Sequence, residues 1–285
     1  MSIVERAIKR LQADASNSRA RPVFGRVVET ATSPAANGRV ISIDQDALRA
    51  VGLLAPKHQE REIGSQYRHI KRPLIAAALG RGQEPVANGR LVMVASALPA
   101  EGKTFTAINL AFSMAMEKDL HVVLVDGDVV KPQISRMFGV DAERGLLDAA
   151  SDPAAIDLER LILPTDVPNL FLLPAGARSE RATELLASER MVEAIKWLLR
   201  KDSRRVFLFD SPPLLLSTEA PALAEVAGQV VVVVRAEYTE HHVLMDALRR
   251  LPEGCSPALV LNQSTLRSRG YDYYGYGAAD GTRAG

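Results

Sequence analysis

The chain has 285 residues, of which 47% are hydrophobic and 24% charged, so it can form one large globular domain with extensions. The formal net charge is +1, which gives no support to nucleic-acid binding, and Cys255 is the only cysteine, which excludes an internal disulfide framework. Since no apolar run reaches the roughly 18 residues of a membrane span, we expect any membrane association to be peripheral or through a partner.

The N-terminal 39 residues predict a helix followed by a linker. Residues 1–13 have amphipathic spacing, which indicates a helix packed either on its own domain or on a partner or membrane surface. Residues 14–39 are rich in Ser, Ala, Asn and Pro without periodicity, which is typical of a flexible linker. The apolar positions of the helix are Ile3, Val4, Ala7, Ile8 and Leu11.

Residues 40–266 predict a single α/β domain. Apolar strands alternate with helices from Leu91 onward, which indicates a mostly parallel sheet with helices on both faces. A helix is expected over 59–79, where Pro73 should kink or end it. The other helices are expected at 104–117, 183–200, 218–226 and 240–250. Strands are expected at 40–43, 91–95, 121–125, 169–173, 205–209, 229–234 and 258–261.

The C-terminal segment 267–285 differs in composition from the domain. Residues 270–277 read Gly-Tyr-Asp-Tyr-Tyr-Gly-Tyr-Gly, and Ala, Asp, Gly and Thr follow. A segment with so little aliphatic content cannot build a core, so we expect a disordered tail with accessible tyrosines.

The stretch 91–110 has the order of strand, turn and helix in which a phosphate-binding P-loop occurs. Backbone N–H groups at a helix N-terminus bind phosphate oxygens. Lys103 would reach the β- and γ-phosphates, and the Thr104 hydroxyl would bind Mg²⁺. The common motif has Gly five residues before Gly102, where this chain has Ala97, so an ordinary strand–turn–helix joint is the alternative.

Carboxylates follow two further predicted strands. Asp126 and Asp128 come after 121–125, at the end of a strand where open α/β sheets bind ligands. One of them could hold Mg²⁺, and the other could accept a proton from an attacking hydroxyl. Asp210 comes after 205–209, as a metal-binding Walker B acid does. The alternatives are a surface turn for the Asp-Gly-Asp sequence and a helix N-cap for Asp210.

Together these motifs resemble the bacterial tyrosine kinases (BY-kinases) of exopolysaccharide and capsule synthesis. Residues 96–104 resemble the family's Ser-x-x-Pro-Gly-Glu-Gly-Lys-(Ser/Thr) loop. Asp126 and Asp128 resemble its Asp-x-Asp motif, and Asp210 with the two following prolines resembles its Asp-x-Pro-Pro motif. The first eleven residues and 67–74 look closest to the exosortase-associated tyrosine autokinases. The tyrosine-rich C-terminus of the family resembles Tyr271, Tyr273, Tyr274 and Tyr276.

The resemblance implies a P-loop NTPase fold and an ATP-dependent tyrosine autokinase that regulates exopolysaccharide synthesis or export. The chain would transfer phosphate from MgATP to the four tail tyrosines in trans. Asp128 would orient or deprotonate the phenol, although Asp126 could exchange roles with it. The implied catalytic residues are Lys103, Asp126, Asp128 and Asp210. The implied Mg²⁺ ligands are Thr104, Asp126 and Asp210. The implied nucleotide-binding residues are Pro99, Ala100, Glu101, Gly102, Lys103, Thr104, Phe105 and Asn262.

The resemblance also implies partners and a location. The expected partners are a membrane chain-length-determinant protein (a polysaccharide co-polymerase), further copies of the chain and a tyrosine phosphatase. The expected location is the cytoplasmic side of the inner membrane, through that membrane partner. The family's Glu-x-x-Arg-x-x-Arg oligomerisation motif aligns with Ser65, Arg68 and Lys71, so the acid of that motif is missing here.

Two other functions stay open from the sequence. A partitioning-type ATPase would carry a signature Lys where this chain has Leu98, which argues against that class. A non-catalytic nucleotide-binding scaffold would not need the complete set of Lys103 and three aspartates.

A further departure from the kinase pattern is Ala100, which replaces a loop Gly and should be tolerated if its φ is negative.

Overall fold

The computed structural model describes residues 23–29, 39–82, 84, 86–152 and 157–264. The strands in chain order are β1 (Gly25–Glu29), β2 (Arg39–Ile43), β3 (Leu91–Ser96), β4 (His121–Asp126), β5 (Leu163–Pro164), β6 (Leu170–Leu173), β7 (Arg205–Asp210), β8 (Gln229–Arg235) and β9 (Ala258–Asn262). The α-helices are α1 (Gln45–Ala50), α2 (Glu60–Leu79), α3 (Lys103–Ala115), α4 (Gln133–Met137), α5 (Leu146–Ser151), α6 (Ala182–Leu186), α7 (Glu189–Lys201), α8 (Glu219–Val226) and α9 (His241–Leu248).

A seven-stranded sheet in the order β5-β6-β4-β7-β3-β8-β9 organises the domain. Every pair in it is parallel except β5 with β6, which is antiparallel. All six strands predicted after residue 90 are present, with ends that differ by no more than one residue. The predicted α/β architecture with a mostly parallel sheet is therefore confirmed.

Successive residues of the central strands pack into two separate apolar layers, because side chains alternate across a sheet. Val92 and Val94 of β3 pack with the residues of α2 and α3 on one face. Leu91 and Met93 pack with the residues of α7 and α8 on the other face. The helices thus cover both faces, as the near-continuous Val and Leu runs predicted.

The predicted linker 14–39 is wrong where it includes β1. Gly25–Glu29 pairs antiparallel with β2 over five register positions. Phe24 is buried, and its N–H donates to the Met137 carbonyl at 2.6 Å. Met137 is distant in sequence and β2 lies beyond 30–38, so the composition of the linker alone did not reveal these partners. Three predicted segments lie outside the described residues: the helix 1–13, the linker within 14–22 and 30–38, and the tail 267–285.

Two predicted helices differ from the observed ones. The helix expected over 183–200 is divided into α6 and α7, because Ser188 caps α7 by accepting a hydrogen bond from the Met191 N–H at 3.3 Å. The prediction that Pro73 could end its helix is wrong, since α2 continues to Leu79 and ends at Gly80 with φ 66°. Among the helices that the structure describes, none combines the length and apolarity needed to cross a membrane.

A buried lysine fastens α2 to the C-terminal end of α3. Lys71 Nζ donates to the Ser113 carbonyl at 2.7 Å and contacts Glu117 Oε1 at 2.7 Å. Lys71 occupies the last position of the expected oligomerisation motif, but its ammonium group is engaged within the chain. The cation therefore stabilises the domain itself, and a ring contact through this residue would require these bonds to break.

Replacing Lys71 should destabilise the domain more than replacing its exposed neighbour Arg72. Lys71→Ala leaves the Ser113 carbonyl and Glu117 without their cation, which should cost about 1.5–3 kcal/mol of unfolding free energy. Urea denaturation of Lys71→Ala and Arg72→Ala measures the difference. Equal unfolding free energies for the two variants would contradict the role of Lys71.

Candidate active site

The candidate site lies at the carboxyl ends of three adjacent central strands. β3 leads into the P-loop, while β4 and β7 end at Asp126 and Asp210. The strand register makes these two aspartates direct neighbours. Motifs that are separated by more than a hundred residues along the chain are thus joined at one edge of the sheet, where parallel α/β sheets bind their ligands.

The P-loop contains two residues in the left-handed region. Gly102 has φ 98°, and a Cβ added there would lie 1.9 Å from Asn262 Nδ2, so only glycine fits. Ala100 has φ 64°, so the condition of a negative φ is not met. A left-handed conformation costs a residue with a Cβ about 1–2 kcal/mol, and the surrounding contacts must offset this strain.

Glu101 supplies those contacts from inside the protein. Its side chain is fully buried, and its carboxylate accepts hydrogen bonds from the Leu98 N–H at 2.8 Å and from the Thr239 hydroxyl. Its carbonyl accepts from Asn262 Nδ2 at 2.9 Å. The carboxylate of Glu101 therefore anchors the loop, and only its backbone N–H remains for a phosphate. We refer to Glu101, Thr239 and Asn262 as the loop clamp.

The first residues of α3 face the acidic strand ends. Lys103 is 8% exposed, and its Nζ lies 3.7 Å from Asp128 Oδ2. The Thr104 hydroxyl donates to Asp210 Oδ2 at 2.8 Å. The structure thus brings the predicted phosphate-binding and metal-binding side chains together around one buried polar centre.

Asp126 is held in place by a residue that the sequence did not indicate. Its Oδ2 accepts from both the N–H and the hydroxyl of Ser135, each at 2.7 Å. Burial raises the pKa of Asp126 to about 7, since the charged form loses its hydration, and nearby Asp210 and Asp128 add to this increase. Burial likewise raises the pKa of Asp210 to about 6.

The donor set around these aspartates fits a hard cation. Asp126 Oδ1 and Asp210 Oδ1 are buried without a hydrogen-bond partner. Carboxylate and hydroxyl oxygens are ligands that Mg²⁺ prefers, and it commonly completes its shell with phosphates and water. Within the described ranges, no group of three His, Cys, Asp or Glu side chains is arranged to hold a metal ion by itself.

Asp128 is the most outward of the three acids. It is 5% exposed, and its Oδ1 accepts from the Lys131 N–H at 3.0 Å. Gly127 precedes it, and a Cβ on this glycine would lie 2.8 Å from the Asp210 carbonyl. The Asp-Gly-Asp sequence is therefore required for the close approach of β4 and β7 and is more than a surface turn.

A cavity of ≈ 610 Å³ lies between α2, the start of α3 and β9. Phe105 and Asn262, both predicted to bind the nucleotide, contribute to its wall. Phe105 follows the phosphate-binding residues directly, so the cavity is within reach of a nucleoside whose phosphates occupy the P-loop. Pro99 and Ala100 are exposed at the tip of the loop, next to Glu101.

The sequence missed Ser135 and Thr239. Ser135 lies nine residues after Asp126 in α4, and its hydroxyl also accepts from the Ala175 N–H at 3.1 Å. Thr239 lies in the turn between β8 and α9 and is 138 residues from Glu101. Neither residue belongs to a local motif, so only the folded topology identifies it.

Removing the Thr239 hydroxyl should weaken nucleotide binding through the loop clamp. Thr239→Val keeps the shape but leaves the buried Glu101 carboxylate without one donor, and a hydrogen bond to a charged group contributes about 1.5–3 kcal/mol. We expect the Kd for MgADP, measured by titration calorimetry, to rise about tenfold. Thr239→Ser, which keeps the hydroxyl, should bind like wild type. Equal affinities of Thr239→Val and wild type would contradict the clamp.

The raised pKa values predict how stability depends on pH without Mg²⁺. A group whose pKa rises from 3.8 to about 7 on folding stabilises the fold below about pH 4, and this contribution is lost as pH rises through 7. The thermal midpoint in EDTA should therefore fall between pH 5 and pH 8. The fall should be smaller by about 2–4 °C or more in Asp126→Asn, since each kcal/mol shifts the midpoint by about that amount.

Two controls sharpen this measurement. Asp141 is exposed, so Asp141→Asn should follow the wild-type pH dependence. MgCl₂ in excess over EDTA should raise the wild-type midpoint at pH 8, and it should raise the midpoint of Asp126→Asn by less, since that variant lacks the assisting carboxylate. A wild-type midpoint that is the same at pH 5 and pH 8 in EDTA would contradict the raised pKa values of the buried aspartates.

The chain is similar in sequence to known tyrosine-protein kinases. No family model matches it. Tyrosine-protein kinase wzc of Salmonella typhimurium is 29% identical over 192 residues, which cover 67% of this chain and 26% of that protein. Tyrosine-protein kinase YwqD of Bacillus subtilis is 29% identical over 229 residues, which cover 79% of this chain and 90% of YwqD. The chain thus spans about a quarter of the Salmonella relative but most of the Bacillus one.

Two solved kinase domains share the fold. The VpsO kinase domain is 26% identical with a TM-score of 0.58, covering 72% of this chain and 98% of that domain. The BceF tyrosine kinase domain is 25% identical with a TM-score of 0.60, covering 84% of this chain and 92% of that domain. These matches, added to the P-loop and the three aspartates around it, show that the chain belongs to the bacterial tyrosine kinase family.

Proposed function

We propose that the chain transfers the γ-phosphoryl group of MgATP to tyrosine hydroxyl groups, including those of its own C-terminal segment. The observation that carries the proposal is the convergence of Lys103, Thr104 and three aspartates at one buried centre. Phosphoryl transfer depends mainly on positioning and on neutralising phosphate charge, and this arrangement suits both tasks.

The nucleotide would bind along the start of α3. The backbone N–H groups of the P-loop and the first turn of α3 would donate hydrogen bonds to the phosphates, and Lys103 would neutralise the β- and γ-phosphates. The cavity beside Phe105 receives the nucleoside. The loop clamp keeps the amides in position, because Glu101 is hydrogen-bonded on both its carboxylate and its carbonyl.

Thr104 and Asp210 would hold Mg²⁺, and Asp126 would assist them. When bound, the cation neutralises charge that develops on the phosphates. Ser135 orients Asp126 so that its unpartnered Oδ1 remains available at the site. The pairing of Asp126 and Asp210 in the strand register provides the concentrated negative charge that favours a divalent ion.

Asp128 would orient the attacking phenol and receive its proton. The phenol O–H bond breaks as the new O–P bond forms, and ADP leaves with the electrons of the broken P–O bond. Asp128 suits this role better than Asp126, since it is the more outward acid and lies beside Lys103. Since a phenol has a pKa near 10, the base matters mainly as the bond forms.

The acceptors proposed are Tyr271, Tyr273, Tyr274 and Tyr276. Tyr67 is a poor acceptor, because it is buried and its hydroxyl bonds to Thr106. Four strand spacings of about 4.8 Å separate β9 from β4, or about 19 Å. Seven residues beyond Ser264, an extended chain reaches about 24 Å, so Tyr271 would need nearly full extension to reach its own Asp128. Tyr273, Tyr274 and Tyr276 have more chain and reach farther, so the proposal of transfer in trans, between two copies, rests on the family resemblance and not on the reach of the segment.

The proposed setting is polysaccharide synthesis. One relative, from Klebsiella pneumoniae, is described as a putative tyrosine-protein kinase in the cps region. From the resemblance to the exosortase-associated tyrosine autokinases, we propose that a membrane co-polymerase protein recruits the chain to the inner membrane. A tyrosine phosphatase would reverse the modification, and further copies of the chain would serve as substrates.

Lys103→Met should abolish most transfer while the domain stays folded. Loss of one such electrostatic contact costs about 10²–10³ in rate. Incorporation of labelled γ-phosphate into the purified chain measures the rate, and Lys118→Met, at the opposite end of β4, is the matched control. In wild type the rate per molecule should rise with concentration. Wild-type labelling by Lys103→Met would refute the site, and a rate independent of concentration would refute transfer in trans.

A further inference from the structure

Two loops at the candidate site expose apolar side chains that the domain leaves uncovered. Val130, two residues after Asp128, is 50% exposed, and Leu216, six residues after Asp210, is 65% exposed. Lys131 is exposed beside Val130 and forms no ion pair with any residue that the structure describes. Exposed apolar groups beside a polar site are typical of an interaction surface.

We propose, on the basis of the proposed function, that Val130, Lys131 and Leu216 form an acceptor-docking surface for residues 270–277 of a second copy. The surface would bind an acidic peptide rich in tyrosine. It would select which tyrosine-bearing segments reach Asp128, a task that the phosphate-binding residues do not perform.

The position of Lys131 supports this assignment. Its backbone N–H donates to Asp128 Oδ1 at 3.0 Å, so the lysine side chain starts directly beside the proposed base. A phenol oriented by Asp128 would bring the flanking residues of its peptide past Val130 and Lys131. The Lys131 ammonium group would therefore contact a charged residue next to the acceptor tyrosine.

Leu216 is held on the neighbouring loop. The Leu214 N–H donates to the Ser96 carbonyl at 2.9 Å, which fastens this loop to the start of the P-loop. Val129 and Leu214 are buried in the same apolar layer. Because these two residues anchor their loops inward, the adjoining Val130 and Leu216 remain outward on a rigid support.

The segment 270–277 complements this surface in chemistry. It contains four tyrosines and Asp272 and has no basic residue. The tyrosine rings match the apolar side chains of Val130 and Leu216, and Asp272 matches the unpaired Lys131. A basic or purely polar peptide would gain neither contact.

The test uses the full chain and a fluorescent peptide of residues 270–277 in the presence of MgADP. Lys131→Glu should weaken peptide binding, measured by anisotropy, about fivefold, because attraction becomes repulsion. A peptide with Asp272→Lys should reverse the preference and bind Lys131→Glu more tightly than wild type. Leu216→Ser should weaken binding of the natural peptide about tenfold.

Matched controls lie at the other end of the domain. Lys118 is exposed and Met116 is 80% exposed, both between α3 and β4 and away from the site. Lys118→Glu and Met116→Ser should bind the peptide like wild type. If these controls weaken binding as much as the surface variants do, the effect is non-specific and the docking surface is refuted.

Failure of the surface and failure of the kinase function give different results. If Lys131→Glu binds the natural peptide as tightly as wild type, or if the reversed peptide does not prefer it, the docking surface is refuted. A second assay replaces MgADP with MgATP. If the peptide is then phosphorylated with a KM that is independent of Lys131 and Leu216, the docking surface is refuted and the proposed function survives. If it binds through Lys131 but never receives phosphate on tyrosine, the surface survives and the proposed function is refuted.

Discussion

The rest of the site depends on two carboxylates that the sheet brings together in its interior. Asp126 and Asp210 end neighbouring parallel strands in direct register, and both are fully buried. Burying charged groups so close together opposes folding, as their raised pKa values indicate. This unfavourable arrangement fits the proposed binding of a divalent ion, which would gain oxygen ligands that the strands already hold side by side.

Contacts with residues that follow β8 and end β9 hold the P-loop in position. The loop clamp connects it to the turn after β8 and to the end of β9, through Thr239 and Asn262. These contacts offset the left-handed conformation of Ala100 and place Gly102 against Asn262. We therefore expect phosphate binding to depend on β8 and β9 as well as on the loop, and the tyrosine-bearing segment follows β9 in the sequence.

The sequence predicted the features that are encoded locally. Six of the seven strands after residue 90, all except the two-residue β5, follow from apolar runs. The P-loop and its aspartates follow from short motifs directly after those strands. The sequence did not predict features that depend on contacts between separate parts of the chain. β1 forms because it pairs with β2, and Lys71 turns inward to reach α3. The fold also brings Ser135 to Asp126 and Thr239 to Glu101. Ala100 adopts a positive φ because the whole loop is held, which its identity alone does not indicate.

The most direct test of tyrosine phosphorylation is the mass of the protein after incubation with MgATP. Intact-mass analysis followed by phosphosite mapping of the purified wild-type chain reports both the amount and the position of phosphate. We predict mass increments that map to the tyrosines between 271 and 276. Release of ADP with no gain in mass, or phosphate found only on residues other than tyrosine, would contradict a tyrosine kinase and indicate an ATPase switch.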